Sequence, residues 1–310
     1  MILTEAAAVT ADGRISSSDL GIWKDAHIEP LSRIFRFLRE NGSVPGMQLA
    51  HAGRKASTAP PWEPGPAPRD PEHGGWTPIY APSALAFDSH YQVPQALSLE
   101  QINHIAQAFA EAARRAHAAG AQVIEIHAAH GYLLHEFLSP LANRRTDQYG
   151  GSFENRTRFL RETVEAIRRV WPDTLPLLVR ISATDWEQAS GFQGWTPEES
   201  VELACELKPL GVDMIDCSSG GNTPHPKIPI GAGYQVPFAA RIRRDADIAT
   251  GAVGMITEPM QADQIIRNGD ADLVFMAREF LRHPYWPLHA APQVHATVDW
   301  PKQYERAKPK

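Results

Sequence analysis

The sequence predicts an α/β protein, a single (β/α)8 TIM barrel that lacks its first strand and helix in this chain. Apolar, β-branched runs alternate with amphipathic segments rich in Ala, Glu and Arg, which indicates a parallel sheet covered by helices. Polar residues cluster where the apolar runs end, the face on which barrel enzymes place their active sites. The length of 310 residues suits one barrel, so we expect one domain over residues 1–310.

Seven apolar runs are predicted as strands, although a barrel of this type closes with eight. They span Ile2–Val9, Val44–His51, Val123–His130, Leu177–Asp185, Asp213–Gly221, Ile248–Gly254 and Asp272–Glu279. Because a core strand begins at Ile2, with no helix before it, we expect about 50 further residues upstream of Met1, the size of one strand, one helix and their connections.

Three of the predicted helices have clear start and stop signals. The first follows Ser98, which stands three residues before Gln101 in capping-box spacing, and it ends at Gly120. The other two run from Ser152 to Pro172, and from Thr196, which precedes a proline, to Gly211.

Composition excludes several classes of partner. The chain has 30 basic and 36 acidic residues, a net charge of -6, and no lysine-rich run, so nucleic acid is not expected. No stretch reaches the roughly 20 apolar residues of a membrane span, and the N-terminus lacks a signal-peptide pattern. We expect a cytoplasmic protein in which Cys205 and Cys217 are small buried hydrophobic residues.

The longest irregular segment, residues 59–82, is dense in Pro and Gly and contains Trp62 and Trp76. Long loops in compact domains often serve as lids or binding loops. We interpret this segment as lid-like, with a solvated insertion as the alternative.

His127 and His130 follow an apolar strand, and Tyr132 stands two residues later. A metal pair is disfavoured, because the zinc protease pattern has a spacing of four with Glu after the first His; we expect no metal. A structurally satisfied pair is a second alternative. We favour two imidazoles that hold a carbonyl-type oxygen, with Tyr132 as a proton donor to a developing carbanion.

Arg180 and Gln48 also lie near strand ends. A guanidinium inside the apolar run "LLVRIS" needs an anion or a strong dipole nearby, and an amide can donate and accept at once. Together they could bind a planar heterocycle that carries negative charge on one edge. An internal ion pair for Arg180 is the alternative.

The last two strands end in "TGAVGM" and "FMAREF". Glycines there let backbone amides approach a ligand, and Arg278 adds a positive charge. This matches the phosphate site that follows the seventh and eighth strands of many barrels, so a phosphorylated ligand is expected.

Several motifs together resemble the flavin-dependent Old Yellow Enzyme family, especially its bacterial NADPH dehydrogenases and xenobiotic reductases. They are "QLAHAGRKA", "EIHAAHGYLLHEFLSPLANRRTDQYGGSFENR", "DCSSGG", "GAVGMIT" and "QYER". The resemblance extends from Ile2 to Arg306.

The resemblance implies FMN as cofactor, NADPH or NADH as reductant, and roles for particular residues. Ala6, Gln48 and Arg180 are expected at the flavin ring, and Gly254, Ala277 and Arg278 at the phosphate and ribityl chain. His127 and His130 are expected to bind the substrate oxygen, and Tyr132 to supply the proton. Arg306, in a C-terminal tail over residues 300–310, is expected to reach the site of a neighbouring subunit in a homodimer or homotetramer.

The expected activity is an FMN-dependent ene-reductase that acts on enones, nitro compounds or quinones by ping-pong hydride transfer. A related dienoyl thioester reductase needs an iron–sulfur cluster, which two cysteines cannot ligate. In the family the first strand supplies a proline-containing segment, a tuning cysteine and a substrate-contacting tyrosine, none of which is found here. A catalytically impaired barrel that only binds a ligand or partner is therefore the alternative.

Overall fold

The computed structural model describes residues 1–63, 69–187 and 193–308. Its centre is a parallel sheet of seven strands, the number predicted from the sequence. These strands are β1 (Ile2–Ala8), β2 (Pro45–Ala50), β5 (Val123–Ala128), β6 (Leu177–Ser182), β7 (Met214–Ser218), β8 (Ala249–Val253) and β9 (Leu273–Phe275). They pair in the order β1-β2-β5-β6-β7-β8-β9. A separate two-stranded sheet pairs β3 (Tyr80–Ala81) with β4 (Gln95–Ala96).

Helices follow the strands in the alternation that the sequence predicts. They are α1 (Ile28–Glu40), α2 (Leu99–Ala119), α3 (Leu133–Leu138), α4 (Phe153–Arg168), α5 (Pro197–Leu207), α6 (Val236–Ala246), α7 (Pro259–Arg267), α8 (Arg278–Arg282) and α9 (Trp286–Gln293). None of the described helices is long and apolar enough to cross a membrane.

The predicted helix signals are confirmed. Ser98 and Gln101 form a reciprocal capping box at the start of α2, and Gly120 ends that helix in the left-handed conformation. Thr196 and Glu199 form a second capping box at α5. After α5 a 3-10 turn over Lys208–Leu210 leads to Gly211, which also has the left-handed conformation.

The last predicted strand was too long. The range Asp272–Glu279 was expected, but pairing with β8 covers only Leu273–Phe275. The backbone turns at Ala277, with φ −117° and ψ −72°, and enters α8 at Arg278. The other predicted strands differ from the observed ones by up to three residues at an end.

Cys205 was expected to be buried, and this is wrong. Cys217 is buried in β7, whereas Cys205 is exposed. The buried face of α5 is formed by Ser200, Leu203, Ala204 and Leu207, and Cys205 lies beside that face. A helix buries one stripe, so an apolar residue next to the stripe can still face solvent.

Residues 64–68 of the predicted lid-like loop lie outside the described residues. The described remainder is anchored at Trp76, whose indole Nε1 donates to the Asp12 carbonyl at 3.0 Å and whose ring stacks under Arg14. Trp62, by contrast, is 72% exposed. The role of this segment as a lid stays a prediction.

Candidate active site

The parallel register brings predicted site residues together on neighbouring strands. Ala6 pairs with Gln48 across β1 and β2, and Gln48 pairs with Glu125 on β5. Two residues further along β5, His127 pairs with Arg180 on β6, which pairs with Asp216 on β7. Side chains from five consecutive strands therefore lie near the carboxyl ends of the sheet.

The turn after β5 places the histidine pair. His130 has a φ of 59° and Gly131 a φ of 72°, so the chain reverses directly after Ala129. A Cβ on Gly131 would lie 2.1 Å from the Gly221 carbonyl oxygen, so only glycine permits this close approach of the loops after β5 and β7. The His130 amide donates to Ser182 Oγ at 2.9 Å, which ties the same turn to β6.

The two imidazoles face each other. His127 Nε2 lies 3.2 Å from His130 Nδ1, and the ring planes are inclined by 79°. Burial and the nearby positive charge of Arg180 lower the pKa of His127 well below its ordinary value. The pKa of His130 is also lowered well below its ordinary value. Burial is the largest cause, and the neighbouring His127 is the next. Both rings are thus neutral at pH 7 and each carries one N–H.

Tyr132 stands beside this pair, with its ring centroid 5.0 Å from that of His127. Burial raises its pKa to about 12, so the phenol keeps its proton at neutral pH. The side chain lines a narrow cavity that also contains Ala6, Asp19 and Ala52. The structure therefore brings together Tyr132, the histidine pair and one residue expected at a flavin ring.

Lys55 is a site residue that the sequence reasoning missed. Its ammonium donates to the His130 carbonyl at 2.8 Å and to the Gly221 carbonyl, and it lies 4.1 Å from the ring centre of Phe87. Burial lowers its pKa to about 8, against the opposing charge of Glu136. The residue occurs in the motif "HAGRKA", but nothing local shows that its partners stand 75 and 166 positions away.

Four polar side chains form a buried layer inside the sheet. Gln48 Nε2 donates to Glu125 Oε1 at 2.6 Å, and Arg180 Nε lies 3.1 Å from Asp216 Oδ2. Burial, with a further contribution from Asp216, raises the pKa of Glu125 to about 8. Burial also raises the pKa of Asp216, although Arg180 opposes it. The ion pair that we held as the alternative for Arg180 is present, and one fifth of its side chain remains exposed.

The polar atoms of this layer are not fully paired within the protein. Within the described residues, Arg180 Nε and both oxygens of Asp216 are buried without a hydrogen bond of good geometry. The guanidinium is therefore not saturated by the protein, and Gln48 stands on the same face. Both donors fit a heterocycle with negative charge on one edge.

Gly254, Ala277 and Arg278 follow the neighbouring strands β8 and β9. Gly254 has a φ of 117°, and a Cβ there would lie 2.7 Å from Gln235 Nε2. Ala277 and Arg278 are exposed, and the Arg278 guanidinium has no ion pair in the part of the chain that the structure describes. An exposed cation after β9 and a glycine turn after the neighbouring strand β8 suit a phosphate.

A network of hydroxyl groups behind the histidines was also missed. His130 Nε2 lies 2.6 Å from Ser218 Oγ, and Ser219 Oγ donates to Gln235 Oε1 at 2.6 Å. The sequence motif "DCSSGG" contains both serines but does not indicate a role for them. Among residues 1–63, 69–187 and 193–308, no three His, Cys, Asp or Glu side chains form a metal-binding group.

Arg306 lies in a 3-10 turn over Lys302–Ala307 and is exposed. Its guanidinium makes no hydrogen bond or ion pair with the residues described, and the nearby Tyr304 meets Tyr285 instead. The structure does not bring Arg306 to the histidine pair of its own chain.

Comparison with known proteins places this geometry in context. The model of the NADH:flavin oxidoreductase / NADH oxidase family matches residues 1–296. An NADPH dehydrogenase of Geobacillus sp. (strain WCH70) is 50% identical over 306 residues, which cover 99% of this chain and 83% of that protein. An NADPH dehydrogenase of Bacillus subtilis (strain 168) is 48% identical over the same shares of the two chains.

Among solved structures, the Old Yellow Enzyme homologue from Zymomonas mobilis has a TM-score of 0.75 and 25% sequence identity. The similarity covers 100% of this chain and 86% of that one. The strand order and helix alternation described above are therefore those of a (β/α)8 barrel.

Proposed function

Because the chain belongs to the NADH:flavin oxidoreductase / NADH oxidase family, we propose that it reduces activated C=C bonds of small enones, nitro compounds or quinones. The predicted membership of the Old Yellow Enzyme family is confirmed, and the protein is an NAD(P)H-dependent flavin oxidoreductase that uses FMN. The proposal adds the substrate class and a ping-pong order, in which NAD(P)H and the oxidising substrate occupy one site in turn.

The observation that carries the proposal is the facing pair of neutral imidazoles. An oxygen placed beside His127 Nε2 and His130 Nδ1, which are 3.2 Å apart, can accept a hydrogen bond from each ring. Two such donors stabilise the negative charge that develops on a carbonyl, nitro or quinone oxygen when hydride adds to the conjugated carbon. Neutral rings donate without leaving a buried positive charge when the site is empty.

Tyr132 supplies the proton in this proposal. Its phenol stays protonated because burial raises its pKa to about 12, and it lies next to the histidine pair. A phenol with this pKa is a weak acid. It can protonate a strongly basic group such as the α-carbon of a developing carbanion.

FMN, when bound, carries hydride from NAD(P)H to the substrate. We assign the ring to Ala6, Gln48 and Arg180, and the phosphate and ribityl chain to Gly254, Ala277 and Arg278. The partly exposed guanidinium of Arg180 supports the first assignment. The second assignment is supported by the exposed Arg278 after β9 and by Gly254, with its positive φ, after the neighbouring strand β8.

The histidine assignment is tested by ligand titration of the flavin-loaded protein. A phenol mimics the developing oxyanion, so His127→Ala and His130→Ala should each weaken phenol binding roughly tenfold to a hundredfold, the effect of losing a hydrogen bond to a charged group. FMN content should change far less. The exposed His104 on α2 provides the matched control, His104→Ala. Unchanged phenol affinity in both site variants would refute the assignment.

We also propose a shared site in a homodimer or homotetramer, completed by Arg306. Its exposure and its lack of a partner within the described chain support this role. Chains with Arg306→Ala should regain part of their activity when mixed with chains carrying His127→Ala, because hybrid interfaces then contain one intact site. Mixed oligomers that form, as native mass spectrometry can verify, but recover nothing would contradict the sharing of Arg306.

A further inference from the structure

His135 is a fully buried histidine in α3 that belongs neither to the oxygen site nor to the flavin assignments. Its Nδ1 accepts a hydrogen bond from the Gly131 amide at 2.9 Å. Gly131 lies between His130, which we assign to the substrate oxygen, and Tyr132, which we assign to the proton. The amide that His135 holds therefore belongs to the residue that joins two members of the proposed site.

This contact fixes the start of α3. Tyr132 is the N-cap of the helix, and its side chain makes no capping hydrogen bond. His135 is the third residue of the helix, and its side chain reaches back to the amide before the N-cap, much as Glu or Gln does in a capping box. A buried backbone amide without an acceptor is costly, so the imidazole favours one path of the chain into the helix.

The backbone before α3 needs such a restraint. His130 and Gly131 both have positive φ angles, 59° and 72°. The His130 amide donates to Ser182 Oγ at 2.9 Å and the Gly131 amide donates to His135, so side chains from β6 and α3 each hold one of these two residues. A non-glycine residue in the left-handed region is strained and persists only where its surroundings hold it.

The proton of His135 is placed by its two neighbours. A nitrogen that accepts from an amide carries no proton, so the ring is neutral and its proton lies on Nε2. This Nε2 lies 3.2 Å from Asp185 Oδ1, at ion-pair distance, and neither atom has another hydrogen-bond partner within the described residues. The other oxygen of Asp185 accepts from Ser139 Oγ and from the Trp195 amide at 2.7 Å, which holds the carboxyl group in place. The pair thus favours the ring state that leaves Nδ1 free to accept.

We propose that His135 is a positioning residue, which holds the Gly131 amide through its unprotonated Nδ1 and thereby determines the placement of the His130 ring for the substrate oxygen. The inference rests on the proposed function only for the role of His130. The hydrogen bond from Gly131, and its effect on the ring of His130, are properties of the protein without substrate.

Two substitutions separate the acceptor from the bulk of the side chain. In His135→Asn the amide oxygen can take the place of Nδ1 and accept from Gly131, although the contact with Asp185 is lost. His135→Leu has a similar volume to His but no acceptor. His104→Leu, at an exposed position of α2, is the matched control. Nitrogen-15 NMR of flavin-loaded protein with labelled histidine reports the tautomers, and spectra of His135→Asn and His130→Gln identify the signals of the two residues.

We expect His135 of the parent to be protonated at Nε2 alone. Without substrate, the ring signals of His130 should keep their parent positions in His135→Asn and move in His135→Leu. The affinity for 4-chlorophenol should stay close to that of the parent in His135→Asn and become roughly tenfold weaker in His135→Leu, as for one lost hydrogen bond to a charged oxygen. A merely structural role would lower the melting temperature of both variants but would not make the affinity depend on the acceptor.

The outcomes distinguish this inference from the proposed function. A parent His135 protonated at Nδ1 overturns the inference, because that nitrogen could not hold the amide. Ligand-free His130 signals that are the same in the Asn and Leu variants also overturn it, as do equal affinities of these variants for a 4-chlorophenol that the parent binds. If 4-chlorophenol moves neither the His127 nor the His130 signal of the parent, the oxygen site is refuted, while the ligand-free spectra still decide the role of His135. Should His135→Leu not fold, the parent tautomer and the His130 signals of His135→Asn remain decisive.

Discussion

Glu125 and Asp216 are two buried carboxyl groups that share one cation, Arg180. Glu125 is fully buried and Asp216 is 1% exposed. A single guanidinium cannot balance two carboxylates, so burial and the charge of Asp216 raise the pKa of Glu125 to about 8. At neutral pH Glu125 therefore keeps its proton, next to the residues assigned to the flavin ring.

This pKa has a consequence for stability. The folded state holds the Glu125 proton more firmly than the unfolded chain, whose carboxyl has the ordinary pKa of 4.5. The free energy of unfolding should therefore fall as the pH rises between those two values, through the contribution of this group. In Glu125→Gln, which keeps an acceptor for Gln48, that contribution should vanish.

The measurement is the melting temperature at saturating FMN between pH 5 and pH 8. We expect the melting temperature of Glu125→Gln to rise relative to that of the parent as the pH increases across this range, because only the parent loses the Glu125 contribution. Glu165→Gln, on the exposed face of α4, is the control and should follow the parent. A profile of Glu125→Gln parallel to that of the parent would show that the carboxyl does not hold its proton in the fold.

At the level of secondary-structure elements, Lys55 connects two loops that lie far apart in the sequence. It lies in the 3-10 turn Gly53–Lys55 after β2 and donates to carbonyls in the loops after β5 and β7. The Glu136 carboxyl in α3 accepts a hydrogen bond from the Arg54 amide at 2.8 Å, which ties the same turn to α3. The turn after β2 therefore organises the backbone on which His130 stands.

Lys55→Met keeps the apolar stem but removes the donor from both carbonyls. Both carbonyls are only partly buried, so leaving them unpaired should cost up to about 1–3 kcal/mol. We expect a lower melting temperature together with weaker phenol binding, because the His130 turn loosens. Urea unfolding and a phenol titration measure the two effects. Lys24→Met, at an exposed position before α1, is the matched control. Parent-like phenol binding in Lys55→Met would show that the turn is held by other contacts.

Local signals and long-range contacts differ in how well the sequence reveals them. The capping boxes at Ser98 and Thr196 were predictable because each needs only residues three apart. The facing histidines were predictable from their place at a strand end. Lys55 and Ser218 were not assigned roles, because their partners are fixed by the parallel register and by loops far along the chain. Cys205 was misjudged because apolar composition does not identify which helix stripe is buried.

At the scale of the whole molecule, the sheet has two free edges. In the described residues, β9 pairs only with β8, and β1 pairs with β2 and otherwise makes a single bridge, between Ala8 and Gly21. Both edge strands carry exposed apolar side chains, since Ile2 is 50% and Leu273 is 39% exposed. Unpaired strand edges with apolar residues are templates for pairing with another chain, and charged residues at such edges suppress it.

We therefore predict that this 310-residue chain self-associates through its sheet edges on heating and that charge at those edges reduces the association. The double variant Ile2→Lys with Leu273→Lys should scatter less light than the parent at equal concentration and temperature. Ile34 is 54% exposed on α1 and belongs to neither edge strand, so Ile34→Lys controls for a lysine added outside those strands. If Ile34→Lys suppresses scattering as strongly as the edge variant, net charge rather than strand pairing governs association. If neither variant changes scattering, the edges are not the surfaces through which the chains meet.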